Sequence, residues 1–109
     1  MGDPELDELR REFLAEAQEK IDEIQAALQS GRSKESLERV VYIAHQLKGS
    51  GGSYGFQKIS TEAAELEKEV ERAATGDGNL DAKIDEHVVN LRGEIERGSR
   101  ELATSGLSS

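Results

Sequence analysis

Cysteine and tryptophan are absent from this chain, and aromatic residues are few: two Phe and two Tyr. Without cysteine there is no disulfide framework, no thiolate metal site and no thiol nucleophile, which is compatible with a reducing cytoplasm. No apolar run approaches the roughly 18 residues of a membrane span. No short apolar segment follows a basic start either, so neither a transmembrane helix nor a signal peptide is expected. Met1-Gly2 begins like a myristoylation motif, but Leu6 stands where that motif places Ser or Thr. Basic residues are outnumbered, 14 Lys and Arg against 23 Asp and Glu, for a net charge of -9. That balance argues against nucleic acid and against anionic membrane surfaces, both of which need clustered Lys and Arg. It favours solubility and partners with basic or neutral docking faces. The chain reads as cytoplasmic and soluble.

What is present is a helical pattern. The 109 residues amount to one domain, 35% apolar and 34% charged. A core of Leu, Ile, Val and Ala with few aromatics suits an all-α bundle. Asp3-Pro4-Glu5 is a helix start, with Asp as N-cap and Pro at the first helical position. From there Leu6, Leu9, Phe13, Ala17, Ile21, Ile24 and Leu28 step by threes and fours along one stripe. Ser30-Gly31 ends this helix, and Ser33 caps a second whose stripe is Leu37, Val40, Val41, Ala44 and Leu47. The glycine-rich stretch 49–55 is expected to break or fray it. Phe56 or Gln57 opens a third helix, with Ile59, Ala63, Leu66, Val70 and Ala73 inward. Gly76-Asp77-Gly78-Asn79 is a turn. The fourth helix carries Leu80, Ile84, Val88, Leu91, Ile95 and Leu102. The pattern predicts an antiparallel up-down four-helix bundle over residues 1–103, followed by a flexible tail or linker over 104–109. An extra short helix at the N-terminus is not separable from the first helix by pattern.

The most informative stretch is Ala44-His45-Gln46-Leu47-Lys48-Gly49-Ser50-Gly51-Gly52. Lys48, Gly49 and Gly52 follow His45 at helical spacings and share its flank. A glycine inside a helix costs about 1 kcal/mol relative to alanine, so two beside one imidazole ask for a reason. The simplest is access: another protein's surface can approach the ring while the Lys48 ammonium waits for negative charge. His45 falls about 100° from the centre of the buried stripe, which sets the ring at the rim of the core with one edge in solvent. This layout suits a histidine that carries a phosphoryl group. The plainer alternative is an inconsequential surface histidine on a helical adaptor.

His45-Gln46-Leu47-Lys48-Gly49-Ser50, followed by Gly51, Gly52 and Tyr54-Gly55-Phe56, closely resembles the signature of histidine-containing phosphotransfer (HPt) domains. It looks most like the phosphoryl-accepting domain of chemotaxis-type histidine kinases. The resemblance implies a phosphorelay intermediate in which His45 takes a phosphoryl group from a histidine kinase or a phosphorylated receiver domain. It then passes that group to the aspartate of a response-regulator receiver. It implies a carrier without its own ATP site, no cofactor in this chain, and Mg²⁺ on the receiver partner. The sequence has no glycine-rich phosphate loop and no Walker pattern. A monomer is expected, either free-standing or as one domain of a larger kinase.

An accepting imidazole must be neutral with a free lone pair, and its second nitrogen should donate to a fixed acceptor. Glu67, 22 residues on and beside inner-face Leu66, is the best candidate. In the domains this chain resembles, a glutamate at that offset orients the ring. Glu67 stands among Glu62, Glu65, Glu69 and Glu71, a run otherwise read as a solvated face with local pairs to Lys68 and Arg72. Lys48 would neutralise phosphoryl charge. Tyr42, Gln46, Gly49, Ser50 and Gly52 form the expected access and docking flank. Ala64 occupies the offset where some chemotaxis kinases carry a second histidine, so a two-histidine network is not expected. Asp77, Asn79 and Asp81 open like a calcium loop, but Ala82 and Val88 replace the glycine and glutamate such a loop requires. His87 is read as a partly buried packing residue, since no partner histidine at metal-ligand spacing accompanies it.

Overall fold

Two residues past the end of each of the first three helices stands a glycine with a left-handed backbone: Gly31 (φ 114°), Gly55 (φ 84°) and Gly76 (φ 78°). A side chain opposes that conformation, so these positions stop the helix and turn the chain. The computed structural model describes residues 4–76 and 81–107, with helices α1 (Pro4–Gln29), α2 (Lys34–Ser53), α3 (Gln57–Ala74) and α4 (Asp81–Leu107). Ser33 caps α2 as expected, its hydroxyl accepting the backbone N–H of Ser36 at 3.1 Å. The expected Asp3 cap, the turn residues 77–79 and Leu80 lie outside the described residues, as do the leading members of the calcium-like motif.

The connections are too short for anything but reversal, and the result is the antiparallel four-helix bundle. Around the ring α1 packs on α2, α2 on α3, α3 on α4 and α4 back on α1, with the core between the diagonal pairs. The molecule is a rod of 51 × 20 × 18 Å. Its axis is filled by Leu14, Ile21 and Ile24 from α1, Val40, Ile43 and Leu47 from α2, and their counterparts on α3 and α4. Burying one such side chain contributes roughly 1.5–3 kcal/mol, and these aliphatic layers hold the rod together.

The structure departs from the sequence reading at four places. Helix α2 is not broken at Gly49 but runs to Ser53. The reason is Gly51: an added Cβ would sit 3.2 Å from Ile59 Cγ2 and 3.2 Å from the backbone nitrogen of Ser60. The glycine lets α2 lie directly on the start of α3, and that tertiary contact outweighs its weak helix propensity. In α1, Leu9 is exposed while Leu14 is buried, because the stripe shifts by one position where Phe13 stacks on Tyr54 and Phe56. The acidic run on α3 is not uniformly solvated, since Glu69 is buried with its Oε1 3.3 Å from Arg72. Finally α4 continues to Leu107, through residues assigned above to the tail. No separate short helix precedes α1 among the described residues.

Candidate functional site

Helix α2 buries Val40, Ile43, Ala44 and Leu47. His45 follows Ala44 and turns out of the core at the α3 side, with 67% of its side chain exposed. Its Nδ1 lies 3.0 Å from Oε2 of Glu67 on α3. A carboxylate only accepts, so this hydrogen bond places the ring proton on Nδ1 and leaves the Nε2 lone pair free. Glu67 itself is only 16% exposed, held at the helix interface beside buried Leu66. Its other oxygen, Oε1, is 3.8 Å from the ammonium of Lys48. One carboxylate therefore stands between the imidazole and the cation.

Gly49 opens onto free space, with nothing within 4 Å of where a Cβ would be. Beside it runs a groove between α1 and α2 of about 640 Å³, lined by Phe13, Lys20, His45, Gln46, Gly49 and Ser50 among others. Gln46 donates to the hydroxyl of Tyr42 at 3.1 Å, and Tyr42 is exposed on the same flank. Gly52 differs from Gly49: a Cβ there would meet the Ser60 hydroxyl at 3.6 Å. That hydroxyl donates to the backbone carbonyl of Lys48 at 2.8 Å and ties α2 to α3 one turn from His45.

Two of these features escaped the sequence reading. Gly51 continues the stripe of Val40, Ala44 and Leu47 by one more helical step, a signal that was available. Ser60 carried none; a serine on the outer flank of α3 has many equivalent readings. His87 is more enclosed than His45, at 20% exposure, and its Nδ1 lies 2.8 Å from Oε2 of Glu62. It joins α4 to α3 rather than only filling space. Among the described residues no three His, Asp or Glu side chains gather as a metal site, and no helix is long and apolar enough to cross a membrane.

No curated protein and no solved structure matches the chain. A family model does match: that of the Hpt domain, over residues 8–100. The matched span takes in α2 and α3 whole, with the exposed imidazole and the glutamate that holds it. A match running through all four helices leaves one conclusion, that this chain belongs to the Hpt domain family and has a phosphotransfer role in phosphorelay signalling.

Proposed function

We propose that His45 is the phosphoryl acceptor, loaded by a histidine kinase or a phosphorylated receiver domain and discharged to the aspartate of a response-regulator receiver. The observation that carries this reading is the hydrogen bond from Nδ1 to Glu67 on a ring two-thirds exposed. In the transfer, the Nε2 lone pair attacks phosphorus and an N–P bond forms as the P–O bond to the donor breaks. The donor leaves with the bonding pair. The proton on Nδ1 stays in place, and the Glu67 carboxylate offsets the positive charge that develops on the ring. Lys48, only loosely paired at 3.8 Å, turns its ammonium to the phosphoryl oxygens. Discharge reverses these steps, with the receiver's aspartate as nucleophile.

Mg²⁺ belongs to the receiver partner in this reading, where it neutralises phosphoryl and aspartate charge, and this chain carries no nucleotide site. The resemblance to chemotaxis-type kinases further suggests a place as the accepting domain of a larger protein. The chain is labelled through a cognate kinase or a phosphorylated receiver. His45→Gln is expected to abolish the label, and the wild-type label to be acid-labile and base-stable, as a phosphoramidate is. Full labelling in the variant would move the acceptor away from His45, and signalling that survives its loss would make the domain a helical adaptor instead.

A further inference from the structure

A second groove, of about 610 Å³, lies between α3 and α4, across the bundle from the one beside His45. Its lining includes Lys58, Val89, Gly93 and Arg100, and none of these four serves the fold. Val89 is 67% exposed. Gly93 sits inside α4 with nothing within 4 Å of a Cβ, whereas a Cβ on Gly98 in the same helix would press on Leu14 at 3.2 Å and Phe56 at 3.3 Å. Gly98 is thus needed for packing, while Gly93 weakens the helix with no return from within the molecule. Lys58 and Arg100 are exposed and have no ion-pair partner among the described residues. Of the two carboxylates in the groove, Glu94 is paired with Arg97 and Glu62 is hydrogen-bonded to His87, so three cations, Lys58, Arg97 and Arg100, face two carboxylates. A chain of net charge -9 therefore presents uncompensated positive charge at this place.

We infer that the α3–α4 groove docks an acidic face of the histidine kinase that loads His45, an inference that rests on the phosphorelay reading. Charge selects the occupant's chemistry. The whole chain repels acidic surfaces, and the groove reverses that locally through Lys58 and Arg100. Val89 supplies an apolar anchor, and the bare backbone at Gly93 lets a partner helix come close. Position selects which partner. The bundle is only 20 × 18 Å across, and a receiver seated over His45 covers the opposite side. The α3–α4 groove then stays open, so the kinase keeps hold of the domain while the receiver discharges it.

The test titrates the full-length cognate kinase into fluorescently labelled chain, with and without saturating receiver, at low and moderate salt. Lys58→Glu with Arg100→Glu is expected to weaken kinase binding about tenfold and to flatten its salt dependence. Gly93→Gln is expected to weaken it comparably while raising the melting temperature, since the helix gains and only docking is obstructed. Both variants should transfer phosphoryl groups from His45 to the receiver at the wild-type rate. Kinase affinity unchanged in both overturns the inference, as does a loss confined to receiver transfer. His45→Gln separates the two proposals: it should keep kinase affinity and lose only the label, so failure of the relay reading appears in that variant alone.

Discussion

A ring nitrogen can act as a nucleophile only when its lone pair is free, and in the role proposed for His45 that condition depends on a neighbour 22 residues away in sequence but in hydrogen-bond contact in space. Glu67 Oε2 accepts the hydrogen bond from Nδ1–H, fixing both tautomer and ring orientation. Glu67→Gln is the sharp test at this scale. A glutamine can donate from its amide as well as accept, so it no longer selects one tautomer. Transfer should slow about ten- to hundredfold, with binding to kinase and receiver intact. Nitrogen NMR shifts of the ring should report a mixed tautomer population; a single unchanged tautomer would remove the orienting role from Glu67.

At the scale of the helix, the four glycines of residues 49–55 divide by what stands in front of each. Gly49 faces open space, Gly51 faces the backbone of α3, Gly52 meets a serine hydroxyl, and Gly55 turns the chain at positive φ. Substitution at the first two should therefore act in opposite directions. Gly51→Ala forces a Cβ to 3.2 Å from the Ser60 backbone, which cannot rotate away, and should destabilise the bundle by about 1–3 kcal/mol. Gly49→Gln meets nothing in the chain and should stabilise α2 by up to about 1 kcal/mol, while slowing transfer by obstructing the partner. Thermal melts together with transfer rates on the two variants check the pair. A slow, stable Gly49 variant beside a destabilised Gly51 variant is the expected outcome.

The same divide runs through the acidic run on α3, which the sequence alone offers as five similar glutamates. Glu62 holds His87 of α4, Glu65 pairs with Lys68 on its own helix, Glu67 holds His45 of α2, and Glu69 is buried beside Arg72. Spacing put Glu62 and Glu67 on opposite flanks of the buried stripe of Ile59, Ala63, Leu66 and Val70. It did not reveal which helix each flank would meet.

For the molecule as a whole, the site is a consequence of the core. Leu47 is fully buried and immediately precedes Lys48. Leu47→Ala should cost about 2–5 kcal/mol, a large part of the roughly 5–15 kcal/mol available to a domain of this size. The melting temperature should fall steeply. Labelling at a temperature below the shifted transition should nonetheless persist, because the groups that carry the chemistry remain. Loss of labelling in a fully folded Leu47→Ala variant would mean that the core does more than hold the helices.

The amino-acid sequence by itself determined the helices, their order, most of the inward faces and the emergence of His45 at the rim of α2. Apolar periodicity, caps and terminal glycines act over a few residues, and their energies do not wait for a partner. Only the tertiary structure decided that α2 would run on past Gly49, that Ser60 would hold Lys48's carbonyl, and that Glu62 would reach His87. Register between helices is set by side chains far apart in the chain interlocking across a shared core, and no local pattern records where those surfaces will meet.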